Sequence, residues 1–181
     1  MSYHMSGSPA IFAFLALVTF APLISAQHES MPAGMSHEEH LKQMKRDAEM
    51  KKRGNAAMGF DQEKVTHHFH LTRAGGSIEV GVNQSVDEGT RQQIRDHLKT
   101  ISREFADGVF TGPTATHAEE PPGVPVMRER KARIAYAYEE TPDGARVVIT
   151  TTDRTARAAV HDFLKYQIRE HATGDPLSVQ K

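Results

Sequence analysis

Histidine is the residue type here whose number and spacing could do chemistry: the chain has eleven in 181 residues and no cysteine. Imidazole suits copper, zinc, nickel and iron, and thioether sulfur from methionine shifts the preference toward Cu(I). The absence of cysteine excludes disulfides, thiolate metal sites and c-type haem attachment. The densest group is His67-His68-x-His70. In an extended strand, alternate side chains leave opposite faces, so His67 turns one way and His68 and His70 the other. Two imidazoles at i and i+2 on one face can share a metal ion. They also suit a polar outer strand face that simply uses histidine.

His97 stands three residues after Ile94 and four before Ile101, beside an apolar stripe. His67 points toward the same layer, so the two rings are expected to approach each other under the sheet. A buried imidazole has to be neutral, hydrogen-bonded or metal-bound, because burying its charge is costly. His97 could also serve as a general base, but no nucleophile accompanies it. His117 and Met127 bracket a Pro/Gly-rich run and are the completing ligands in a metal reading. His161 and His171 are ten positions apart on one helix, roughly 80° around its axis, and do not share an ion by themselves. His161 is expected at the surface, and His171 at the helix C-terminus, where a cationic imidazole is favoured. Signatures for nucleotide binding, zinc proteases, serine hydrolases and EF-hands are absent.

The elements that position these residues follow from periodicity. Val65, His67, Phe69 and Leu71 alternate with polar residues; Ala74-Gly75-Gly76 turns the chain; Ile78, Val80 and Val82 alternate back. A helix starting at Asp87 carries the stripe Ile94, Leu98, Ile101, Phe105. Gly112 to Pro125 reads as a connector with too little apolar content to pack. The order then recurs: Ile134, Tyr136 and Tyr138; a Pro142-Asp143-Gly144 turn; Val147, Ile149 and Thr151; and a helix from about Thr155 bearing Ala156, Val160, Phe163, Leu164, Ile168 and His171 on one broad face. This is an α+β domain over residues 58–177, a ββαββα internal repeat. Each half has one apolar sheet face and one apolar helix stripe. A four-stranded antiparallel sheet with both helices on one face buries them together.

Ahead of the domain, Ala10 to Leu23 is apolar apart from Thr19, and Ile24-Ser25-Ala26 offers a small-residue exit. That order reads as a secretory signal over residues 1–26, with a periplasmic or secreted destination and no stable membrane anchor after cleavage. The n-region lacks Lys and Arg. Residues 27–57 read as a flexible Met/His-bearing leader with a short helix. Ser36 and Glu39 form a capping box, and Gly54 closes the helix. With 22 Lys+Arg against 23 Asp+Glu, nothing points to nucleic acid.

From Met58 to Asp175 the chain resembles an uncharacterised family of short exported bacterial proteins. The matching runs are MGFDQ (Met58–Gln62), THHF (Thr66–Phe69), the Gly75-Gly76 turn, IRDHL (Ile94–Leu98), PPGVPVM (Pro121–Met127) and VHDFLKYQIREHATGD (Val160–Asp175). The resemblance implies a shared domain, with His67, His68, His97, His117, Met127, His161 and His171 inside the matching runs. Some members carry a carbamoyltransferase label. Thr152–Arg157 matches the phosphate-binding run of such enzymes only in part, and the chain is far shorter than their two-domain fold.

Three expectations follow. The first is an exported metal-binding protein, copper ahead of zinc, using His67, His68 and His97 with His117 or Met127. The second is an interaction module whose open sheet face pairs with a partner or as a homodimer. The third is a small-molecule-binding or enzymatic domain with His97 as base, which a closed apolar pocket reaching His97 would favour.

Overall fold

The computed structural model describes residues 35–84 and 87–180. The signal-like segment and the leader as far as residue 34 lie outside the described residues. Ser36–Lys181 form one compact unit. Its elements are helix α1 (His37–Met58), strands β1 (Val65–Thr72) and β2 (Gly75–Val82), helices α2 (Glu88–Ala106), α3 (Thr111–His117) and α4 (Val124–Glu129), strands β3 (Ala135–Thr141) and β4 (Gly144–Thr150), and helix α5 (Arg154–Glu170). The strands form one antiparallel sheet in the order β1-β2-β4-β3. The expected ββαββα order and single-sided helix layer are both present.

Alternation decides the strands. Phe69 faces Ile78 across the first hairpin, Ile78 faces Val147 across the centre of the sheet, and Val147 faces Tyr138 across the second hairpin. Side chains directly opposite share a face, so one row runs through all four strands into the core. The other face carries Thr66, His68, His70, Glu79 and Arg146. Asp87 and Asp153 cap α2 and α5, accepting from Thr90 N and from Thr155 N and Ala156 N respectively. The helix stripes Ile94, Leu98, Ile101, Phe105 and Ala156, Val160, Phe163, Leu164, Ile168 are buried against the inner sheet face.

The two halves exchange helices. α2 lies over β3 and β4, and α5 lies over β1 and β2. Two glycines mark the close approaches. A Cβ at Gly76 in β2 would run into Leu164 of α5, and one at Gly144 in β4 would stand 3.1 Å from Ile94 of α2.

The structure differs from the sequence reading in two places. The run 112–125 holds α3 and the start of α4 rather than a bare connector, and Val124 and Met127 are fully buried. α1 has the expected capping box at Ser36 but continues through a buried Gly54 to Met58, where Gly59 in the left-handed conformation ends it. Its C-terminal half is docked: Arg53 Nε donates to the Thr116 carbonyl of α3 at 3.0 Å. Leu41 and Met44, in its first half, are exposed as expected of a solvated helix. The chain after α5 returns along β1. Asp175 accepts from Phe69 N, and Gln180 N donates to the Leu71 carbonyl. This tail covers an otherwise open sheet edge.

Candidate functional site

Four histidines from four elements meet at one end of the core. His67 comes from β1, His97 from α2, His117 from the last residue of α3, and His171 from the C-cap of α5. All four line an apolar cavity of about 60 Å³ whose walls include Phe69, Val80 and Phe163. The His67 and His171 rings stack at 5.4 Å, and His117 meets His171 edge-on at 5.2 Å. Phe60 stands between the remaining pair, 6.4 Å from His67 and 5.6 Å from His97.

Local structure explains each position. Period two in β1 turns His67 inward beside Phe69. On α2, His97 flanks the buried Ile94–Leu98–Ile101 row. α3 is a single short helix held by Arg53 and by its own Thr116 hydroxyl, which donates to the Gly112 carbonyl. His171 ends α5 as its backbone N–H bonds the Gln167 carbonyl.

The site holds its imidazoles neutral. Burial pushes His67 down to about 4, with the neighbouring His97 and His68 adding to the effect. Burial brings His97 to about 4 and, with His67 and His117 beside it, His171 to about 3. Burial also lowers His117; the Gln167 hydrogen bond and the carboxylates of Glu170 and Glu119 pull it back upward, and Arg53 pushes it down. The carboxylates that reach the cluster act on His117 and do not outweigh its burial, so the neutral state is the one the fold selects.

The hydrogen bonds are incomplete. His117 Nε2 donates to Gln167 Oε1 at 3.0 Å, which leaves the His117 Nδ1 lone pair unused. That atom, His67 Nε2 and Gln167 Nε2 are buried without a partner. Each such group forfeits about 1–3 kcal/mol unless something else meets it.

The sequence-predicted set is thus brought together in part. His67, His97 and His117 converge. His68 does not: it faces the outer side of the sheet, where its Nδ1 lies 3.0 Å from Asp175 Oδ1. Met127 is sealed in the core on α4 and takes no part in the cavity wall. His171 joins the cluster as a neutral ring, in place of the cationic cap expected. His161 is half-buried, and its Nε2 donates to the Thr72 and Gly75 carbonyls at the β1–β2 turn. Among the described residues, no three His, Asp or Glu side chains are arranged to enclose a metal ion. No described helix is long and apolar enough to cross a membrane.

No family model, curated protein or solved structure matches this chain.

Proposed function

We propose that this domain is a binding protein for a small uncharged ligand of a few heavy atoms, held in the histidine-lined cavity. The unpartnered nitrogens of His67 and His117, on two residues lining one apolar cavity, carry this reading. A ligand with an O–H or N–H group would meet a bare imidazole lone pair, and its apolar part would meet Phe69, Val80 and Phe163. Neutral rings offer an anion no charge. At about 60 Å³ the cavity is well below the roughly 300–1,000 Å³ of drug-sized sites. His97, held near 4, is a weak base at neutral pH, so binding is preferred to catalysis. The apolar segment 10–23 with its small-residue exit supports export, to the periplasm or outside, as part of the same proposal.

A second reading puts a metal ion in this cavity, copper(I) ahead of zinc, with a pair drawn from His67, His97, His117 and His171 as the candidate ligands, since no three of them are arranged to enclose an ion. Here His68 and Met127 leave the ligand set. His117 favours this reading: one ring nitrogen bonds an oxygen acceptor while the other is left bare, the arrangement ligating histidines use.

One titration separates the two. The full chain, labelled at the histidine rings, is titrated with isopropanol and phenol, and separately with Cu(I). Movement of the His67 and His117 ring signals with an organic probe, abolished by His97→Phe, supports the ligand reading. Movement with Cu(I) alone replaces it with the metal reading. If neither shifts these rings, both fail.

A further inference from the structure

On the face of the sheet opposite the cavity, we propose that His68 and His70 form a surface site for a divalent transition-metal ion of the zinc, nickel or copper(II) class, with Asp175 as its positioning residue. The two rings share that face and stand 5.9 Å apart, with their planes 18° from parallel. Two imidazoles binding one ion through bonds of about 2.0–2.1 Å place their ring centres about 5–6 Å apart, so the pair is already spaced for chelation. The His68 side chain is 45% exposed, which leaves water free to complete the coordination shell.

Asp175 supplies what an ordinary surface histidine lacks. Its side chain is 9% exposed. Oδ1 faces His68 Nδ1 at 3.0 Å, and Oδ2 accepts from Phe69 N at 2.9 Å and from Thr173 Oγ1 at 2.7 Å. With Oδ2 taken up by two donors, Oδ1 is left as an acceptor facing the ring, so Nδ1 of His68 carries the proton and Nε2 keeps its lone pair. A carboxylate bonded to the far nitrogen of a ligating histidine fixes the ring and raises its basicity. Glu79, directly opposite His68 on β2, adds negative charge on the same face. Imidazole selects borderline ions over calcium and magnesium.

The test titrates the full chain with Zn(II) and Ni(II), with Mg(II) as the hard-ion control, alongside the variants His68→Ala, His70→Ala, Asp175→Asn and, as the histidine control, His37→Ala, exposed on α1. His70 is a side chain of the outer face, so its loss leaves the fold intact, which the amide spectrum verifies. We expect His68→Ala and His70→Ala to weaken Zn(II) binding at least tenfold, and His37→Ala to leave it unchanged. Asp175→Asn is expected to weaken it by about ten- to a hundredfold, and the His68 ring spectrum should then lose its fixed Nδ1–H form. Zn(II) affinity unchanged in both His68→Ala and His70→Ala overturns the proposal, and so does equal loss with His37→Ala. The cavity titration reads His67 and His117 on the opposite face, so either proposal can fail alone.

Discussion

His67 and His171 stack with their ring centres 5.4 Å apart and their planes 19° apart, two bases whose burial and mutual proximity disfavour a charge on either. Their folded values, about 4 and about 3, lie below the ordinary 6.5. The unfolded chain therefore binds these protons more readily than the folded one. The stability they contribute is complete above about pH 6.5, falls as the pH drops toward the folded values, and levels off beneath them. We expect each ring to add a slope of up to about 1.4 kcal/mol per pH unit in that window. Urea unfolding at intervals from pH 7.5 to 3.5 measures it, and a flat profile contradicts the neutral cluster.

Replacing one titrating ring by a benzene ring of similar size should flatten that profile. His97→Phe is expected to unfold with a shallower dependence between pH 6.5 and 4 than the parent, and to gain ground on it as the solution is acidified. His117 is a poorer choice, because Glu119, Glu170 and Arg53 also act on it. A His97→Phe curve parallel to the parent's would show that this ring does not titrate as its burial implies.

His161 joins α5 to the opposite end of the first hairpin, its Nε2 donating to the Thr72 and Gly75 carbonyls at 3.0 and 2.9 Å. His161→Ala removes a shared donor from two turn carbonyls. A loss of about 1–2 kcal/mol is expected, with faster amide exchange at the β1–β2 turn. Exchange unchanged there would place the turn's order elsewhere.

Gly123 opens α4 at φ 86°, and a Cβ on it would meet the carbonyl of Ala159 on α5. Gly123→Ala combines a left-handed backbone with a clash against main chain and is expected to cost at least about 2 kcal/mol, read as a lower thermal midpoint. The same substitution at Gly112, where a Cβ meets nothing within 4 Å, serves as the control.

The fold was legible because both hairpins and both long helices carry uninterrupted periods: the alternation from Val65 to Leu71 and the Ile94–Phe105 stripe each admit one burial face. The run 112–125 misled because its proline and glycine content hid two short helices. Proline tolerates the first helical turn, and the short apolar run Val124–Met127 buries Val124 and Met127 fully. Half of the site was visible for a related reason. Strand period put His67 inside, and helix spacing put His97 beside the core. Helix spacing puts His171 on the apolar face of α5 and its terminal position suits a cap; only the tertiary path of β1 brings His67 against it. The pairing of His68 with Asp175 spans a separation of 107 residues, which no local pattern encodes.

The exchange of helices between the halves bears on how the chain acquires its structure. The first hairpin is followed in sequence by a helix, α2, that belongs over β3 and β4, while its own cover, α5, comes last, so no half can complete itself in isolation. Folding must wait for distant segments to meet, which favours a single late, all-or-none closure over stepwise growth. Two polypeptides severed between α3 and α4 would each be unable to bury its oily surfaces, and would be expected to reconstitute the domain on mixing.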